Sequence, residues 1–309
     1  DDLEIKYLKF NGYEILGSEA GDSLLLYADV DLNVIDGSSI WVHSMASMLS
    51  GLGFQVDILS KCNIERDLIV SGINGLDDVR IITPSDFGLP KGNFSGHRAL
   101  DAIEALDGIF GCYRRIVLRG LDICLSSLSR KSLRGRILAY LTDYYVINGS
   151  ERELKEQFVE NSMDLANFIA GFLVQTSRIG EELQRVSGIQ HSRIHLVPPA
   201  VPEPSFKEDQ RKTERIQICY AGKIAPQWGV LELIVGVERM GLQDKVEIHI
   251  IGDKIHDGDV DGHSFRDLIS ETMENADFVT THGGLSREEA LGLVSSMDVA
   301  WAFREPTFE

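Results

Sequence analysis

Apolar residues fall into short runs of strand length, separated by stretches in which they recur three or four positions apart. The first run, Ser23 to Ala28, is followed after the loop Asp29 to Ser39 by Met45, Met48, Leu49 and Leu52 at helical spacing, with Ser38 or Ser39 placed to cap that helix. Gly51 and Gly53 end it, and FQVDIL makes a second strand. The alternation continues through strands at Val79 to Thr83, Arg115 to Leu118, Ile137 to Thr142 and Phe172 to Gln175. Between them lie a helix at Ala99 to Leu106 and a longer one over Glu151 to Ala170, with Leu154, Phe158, Leu165 and Ile169 on its apolar side. Strands separated by helical patterns predict a parallel sheet covered on both faces.

After Arg193-Ile194-His195-Leu196-Val197 the composition turns to PPAVPEPSFKEDQRKTE, proline first and charge after, the signature of a linker between domains. The alternation restarts at Arg215 with a strand and a helix. It then gives a strand at Val246 to Ile250, a helix near Phe265 to Met273, a strand at Phe278 to Thr281, a helix at Arg287 to Ser295 and a strand at Asp298 to Phe303. The expectation is two α/β domains, residues 1–206 and 207–309, two doubly wound units in sequence that place a ligand in a cleft between them, at the carboxyl ends of the strands. Ahead of the first strand, Asn11-Gly12 between LEIKYLKF and YEIL reads as a hairpin turn.

Composition narrows the class of ligand. The 309 residues carry 30 Lys and Arg against 48 Asp and Glu, a formal net charge of −18, which opposes binding of nucleic acid through its phosphates. No apolar run is long enough to span a bilayer. Cys62, Cys112, Cys124 and Cys219 are widely spaced with no C-x-x-C pair, which points to reduced thiols in a cytoplasmic protein and not to a disulfide framework or a zinc site. The chain begins at Asp1 without a methionine, a start that removal of a leader also produces.

The most informative stretch is RIQICYAGKIAPQWGVLELIVGVERM, Arg215 to Met240. Ile216, Ile218 and Tyr220 lead a strand, Gly222-Lys223 breaks it, and Val230, Leu231, Leu233, Ile234 and Val237 recur at helical spacing. A helix opening after a glycine-bearing loop presents unpaired backbone N–H groups and the positive end of its dipole, which suits a phosphate, and Lys223 adds a full charge. An ordinary βα turn has the same pattern. The segment resembles the donor-binding strand and loop of family-four (group 1) glycosyltransferases, whose fold is called GT-B. In that family a Gly-Arg or Gly-Lys after the first strand of the C-terminal domain precedes a Lys-Gly at the helix start. Here Gly222-Lys223 and Trp228-Gly229 take those places, so the resemblance implies Lys223 on a nucleotide diphosphate, with Trp228 standing where the family has its second lysine. Further matches are Val174-Gln175-Thr176 before a helix, Val197-Pro198-Pro199-Ala200-Val201 near the family's Pro-Asn-Gly-Val, and Ile250-Ile251-Gly252-Asp253.

The resemblance implies two Rossmann-like domains with the second incomplete, because family members continue past a stretch like AWAFREPTFE into a paired-glutamate motif near the donor ribose. Glu305 and Glu309 are the acids near its first position. It further implies transfer of a sugar from a nucleotide-diphosphate donor to an acceptor hydroxyl with retained anomeric configuration, without a cofactor or a required metal, and little or no transfer by this 309-residue form. Asp36-Gly37-Ser38-Ser39 stands at the family's glycine-rich loop facing the acceptor and the donor phosphates, and His282-Gly283-Gly284 at the turn whose backbone contacts the nucleotide base. Arg119 and Asp143 follow strands at the same edge and are the candidate catalytic groups, although a strand-end aspartate also serves as a helix cap.

The expected partners are a nucleotide sugar and a glycan or lipid-linked acceptor. Arg114, Arg115, Arg119, Arg130, Lys131, Arg134 and Arg136 read either as a solvated face or as a patch for an anionic acceptor or membrane surface, with the protein peripheral at the inner face. DGDVDGHSFRDL, from Asp257, imitates a calcium loop but has Leu268 where a bidentate glutamate belongs, so it reads as an Asp-rich turn. A nucleotide-sugar epimerase of the same fold and a non-enzymatic two-domain ligand-binding protein are the alternative functions.

Overall fold

The computed structural model describes residues 23–110, 113–142, 144–148, 151–198, 214–256, 258–260 and 263–303. The Asn11-Gly12 turn, most of the linker after Val197, Cys112, Asp143, Glu305 and Glu309 lie outside the described residues, as do Asp257, Asp261 and Gly262 of the calcium-like segment. The chain divides into two compact units, Asp1–Asn33 with Ser38–Pro202, and Val34–Gly37 with Glu203–Glu309.

The first unit opens with β1 (Ser23–Ala28), α1 (Gly37–Gly51), β2 (Gln55–Leu59), α2 (Val70–Asn74) and β3 (Val79–Ile82). It continues with α3 (His97–Phe110), β4 (Arg115–Arg119), α4 (Leu121–Ser126), β5 (Ile137–Tyr140), β6 (Tyr145–Asn148) and β7 (Glu151–Leu154). It closes with α5 (Glu156–Phe168), β8 (Gly171–Val174), α6 (Ser177–Ser187) and β9 (Ile194–Leu196). Seven of these strands form one parallel sheet in the order β3-β2-β1-β4-β5-β8-β9. The pleat sends successive side chains of β1 to opposite faces. Leu25 and Tyr27 join one core with Ile116, Leu118, Leu100, Ile103, Phe158 and Leu165, while Leu24, Leu26 and Ala28 join the other with Val117, Val42, Met45, Val70 and Ile73. A strand buried on both faces has no polar position, which is why SLLLYA reads as one apolar run. Each fully buried leucine in it contributes about 1.5–3 kcal/mol.

Two expectations need correction. The helix expected from Glu151 starts at Glu156, and Glu151–Leu154 is instead a strand paired antiparallel with β6, Asn148 opposite Glu151. Leu154 and Phe158, four residues apart, imitate a helical stripe, but the Lys155 N–H is taken by the Tyr144 carbonyl at 2.9 Å, which closes a hairpin whose sequence signal is Asn148-Gly149. The first helix begins at Gly37, so Ser38 and Ser39 lie in its first turn and do not cap it.

The second unit holds β10 (Ile216–Ala221), α7 (Val230–Arg239), β11 (Val246–Ile251), the two-stranded ribbon β12 (Asp259–Val260) and β13 (His263–Ser264), α8 (Phe265–Asn275), β14 (Val279–Gly283), α9 (Arg287–Ser295) and β15 (Val299–Ala300). Its described sheet has four parallel strands in the order β14-β11-β10-β15. Tyr220, Ile248 and Ile250 pack one face against Val230, Leu233, Ile234 and Val237 of α7 and Phe265 and Ile269 of α8. Gln217, Cys219, Glu247 and His249 alternate with these along β10 and β11 and so belong to the other face.

In each sheet the strand order reverses beside the first strand, between β1 and β4 and between β10 and β15. Such switch points open a crevice at the carboxyl ends of the strands, because the following loops diverge to opposite sides of the sheet.

Candidate functional site

At the switch point of the first unit, Arg119 ends β4 and its Nη2 donates to Ser38 Oγ at 3.0 Å, with the guanidinium carbon 5.4 Å from the centre of the Trp41 ring. Trp41 in turn lies against Tyr140, ring centres 4.6 Å apart, and Gln175 donates to the Tyr140 hydroxyl. Burial holds the Tyr140 phenol above its ordinary pKa, so it stays neutral at neutral pH. The structure thus joins three residues named from the sequence, Ser38, Arg119 and Gln175, and adds Trp41 and Tyr140. The combination offers one cation, hydroxyls and an aromatic face at the ends of β4, β5 and β8, a surface suited to a hydroxylated or anionic group.

The basic run does not form one patch. Arg130 pairs with Asp101 at 2.6 Å and Glu104 at 3.2 Å, Arg136 chelates Asp107 at 2.8 and 2.5 Å, and Arg119 stands at the opposite end of β4 from Arg115. Arg114, Arg115, Lys131 and Arg134 are the exposed members.

The second unit has its own ligand edge. Gly222 follows β10, Gly252 follows β11 and Gly283 ends β14, with φ of 152°, 137° and 65°. The Gly222 N–H donates to the Ile251 carbonyl at 2.9 Å and the Gly252 N–H to the Gly283 carbonyl at 2.8 Å, which ties the three strand ends together. A Cβ on Gly252 would sit 2.2 Å from the Gly222 carbonyl oxygen, so no side chain fits. Beside this glycine row, Lys223 Nζ lies 3.0 Å and Lys254 Nζ 3.7 Å from the Asp36 carboxylate, two ammonium groups around one carboxylate. The Tyr220 hydroxyl donates to the Lys223 carbonyl and fixes the loop, and burial pushes that phenol up to about 12.

A cavity of about 250 Å³ opens at the same edge, lined among others by Gly252, Asp253, Ser270, Glu274, Thr281 and Gly283. His282 lies beside it on β14, its Nε2 3.0 Å from His249 Nδ1. Trp228 is half-buried against the core of the unit, and its carbonyl faces Trp301 Nε1 at 3.4 Å. Gly229, at φ 65°, caps α7 beneath the Phe303 ring, where a Cβ would meet Phe303 Cδ1 at 2.5 Å. Lys254 escaped the reading of the sequence, although Gly252-Asp253-Lys254 follows an apolar run much as Gly222-Lys223 does. Among the described residues no group of three or more His, Cys, Asp or Glu side chains has the arrangement of a metal site.

No protein-family profile matches the chain. A curated relative, an MMP α-(1→4)-mannosyltransferase from Mycolicibacterium hassiacum, is 27% identical over 143 residues, which is 46% of this chain and 33% of the relative. The match therefore spans about a third of the length of that relative. Among solved structures, a glycosyltransferase from Rickettsia africae superposes with a TM-score of 0.58 at 13% identity, over 91% of this chain and 73% of that one. The pneumococcal O-GlcNAc transferase solved with UDP and GlcNAc gives 0.59 at 11% identity, over 91% and 79%. At such identities a superposition defines the fold. The chain is a GT-B protein, two Rossmann-like units in series, and its fold is that of the group 1 glycosyltransferases.

Proposed function

We propose that this chain holds the donor site of an enzyme that transfers a hexosyl group from a nucleoside-diphosphate sugar to an acceptor hydroxyl with retained anomeric configuration. The observation that carries the reading is the ligand edge of the second unit, where Gly222, Gly252 and Gly283 end neighbouring strands, Gly252 with no room for a side chain, beside Lys223, Lys254 and a 250 Å³ cavity. Negative charge develops on the leaving diphosphate as the glycosidic bond breaks, so a preformed cationic, N–H-rich edge lowers the barrier where the charge appears. In this reading Lys223 and Lys254 meet the diphosphate, His282 and Gly283 the nucleoside, and Glu305 and Glu309 belong near the ribose. Asp36-Gly37-Ser38-Ser39, Arg119 and Asp143 serve the acceptor and the transferring sugar. Two lysines supply the charge that a metal supplies elsewhere, so no metal is required.

A glycan or lipid-linked acceptor, a cytoplasmic location and peripheral contact with an anionic membrane belong to the same proposal. The membrane contact rests on the exposed cations Arg114, Arg115, Lys131 and Arg134.

The test is calorimetric titration of the 309-residue chain with UDP, GDP and ADP. Lys223→Ala weakens the bound nucleotide by about one to two decades, the loss of one charge-assisted contact of roughly 1.5–3 kcal/mol. Asp36→Asn, which releases both ammonium groups, tightens it. Unchanged affinity in both variants would show that the stretch after β10 is only a turn.

A further inference from the structure

The face of β10 and β11 away from the core of α7 and α8 carries buried polar side chains, and burial obliges them to pair. Gln217 is 6% and His249 8% exposed. Gln217 Nε2 donates to the Glu247 carboxylate at 3.1 Å, which fixes the amide, since the reverse orientation sets its oxygen against a negative charge. Gln217 Oε1 then lies 2.6 Å from His249 Nε2. An amide oxygen only accepts, so His249 carries a proton on Nε2, with the Glu247 carboxylate 3.7 Å from the same nitrogen, and in the neutral imidazole its Nδ1 is then bare. That Nδ1 is 3.0 Å from His282 Nε2, with the two rings 21° from parallel. His282 therefore donates from Nε2, and its own Nδ1 keeps a lone pair. An amide passes no proton onward, so the chain Glu247, Gln217, His249, His282 sets tautomers and is not a proton relay.

The end of this chain is at the ligand edge. Ile250 pairs with Thr281 and Ile251 with Gly283, which makes His282 the extra residue of a β-bulge, a device that re-aims a side chain and concentrates beside binding sites. Its neighbours Thr281 and Gly283 both line the cavity. Burial and the nearby His249 lower the pKa of His282, so the imidazole is neutral at neutral pH.

We propose that Glu247 and Gln217, acting through His249, are positioning residues that hold His282 as its Nε2–H tautomer, so that His282 Nδ1 accepts a hydrogen bond from an N–H or O–H of the nucleotide. The inference rests on the donor-site reading above, and its first measurement stands apart from it.

Long-range proton–nitrogen correlation of the imidazoles in the nitrogen-labelled 309-residue chain, at a pH above neutral, reads each tautomer directly. The parent shows Nε2–H for both His249 and His282. Gln217→Met, which removes the acceptor but keeps the length of the side chain, gives a mixture at His282, and Glu247→Gln, at a less buried position, gives the same mixture in smaller proportion. Titration with UDP and GDP then shifts the His282 Nδ1 resonance in the parent, and both substitutions weaken that nucleotide by about three- to tenfold. A His282 Nδ1–H tautomer in the parent overturns the proposal. So does a loss of affinity in the variants with the tautomers unchanged, since that marks a structural role alone. Expected tautomers in a parent that binds none of the three nucleotides refute the ligand assignment and the donor-site reading together, whereas wrong tautomers with intact nucleotide binding refute only the positioning.

Discussion

Asp36 lies between two ammonium groups, and that triad shows what a sequence does and does not reveal about single residues. Lys223 stood out because it follows a glycine at the end of an apolar run. Lys254, in the corresponding place after β11, was hidden by an Asp-rich stretch, and its approach to Asp36 joins positions more than 200 residues apart. The same holds for Arg119 and Ser38, separated by 81 residues. Charged side chains titrate the neighbourhood that the fold builds, and local pattern carries no information on it. His282 gives a prediction of this kind. Its folded pKa is lowered by burial and by His249, so below the ordinary value of 6.5 the unfolded chain takes up a proton that the folded chain refuses. Its contribution to stability is complete above that value and is lost as pH falls. Lowering the pH from about 7.5 to about 5.5 thus lowers the melting temperature of the parent more than that of His282→Gln. Equal slopes in the two melting series would show that the imidazole is not held neutral.

At the scale of elements, strands buried on both faces were the easiest to read, because burial leaves only apolar residues along their whole length. The β6–β7 hairpin was missed for the opposite reason: EREL has one apolar residue, and Asn148-Gly149 was the only local mark of the turn. Glycines carry the most element-level meaning at strand ends. Gly252 sits at φ 137° with its α-carbon against the Gly222 carbonyl, so Gly252→Ala forces β10 and β11 apart at the ligand edge. The expected cost is about 2–4 kcal/mol in the stability of the second unit, together with loss of nucleotide binding. Gly236, inside α7 with nothing within 4 Å of an added Cβ, is the control. Gly236→Ala removes backbone freedom from the unfolded chain and is neutral or stabilising by up to about 1 kcal/mol. Chemical denaturation of the two variants beside the parent decides it, and a Gly252→Ala protein as stable as Gly236→Ala would show that the strand ends are looser than this packing requires.

For the whole molecule the governing fact is that each unit has a core of its own: two layers around the seven-stranded sheet in the first, one around the four-stranded sheet in the second. The alternation of strands and helices, broken by a proline-rich linker, made that organisation legible. Units with separate cores unfold as separate cooperative steps, so calorimetry of the 309-residue chain is expected to resolve two transitions. Each has its own handle. Asp107 is 8% exposed, chelates the half-buried Arg136 and accepts the Tyr113 N–H at 2.8 Å, so Asp107→Ala removes the ion pair and leaves that N–H without its acceptor, at a cost of about 3 kcal/mol. In a unit of this size that lowers one transition by about 10 °C and leaves the other in place. A nucleotide that binds the edge of β10, β11 and β14 acts on the remaining transition alone. At about one hundred times its dissociation constant it adds roughly 2.7 kcal/mol, which raises that transition by about 5–15 °C. The decisive scan is Asp107→Ala with and without saturating UDP or GDP, in which the two shifts fall on different peaks. A single peak moved by both perturbations would mean that the units unfold as one, and a nucleotide shift on the peak lowered by Asp107→Ala would place the donor site in the first unit.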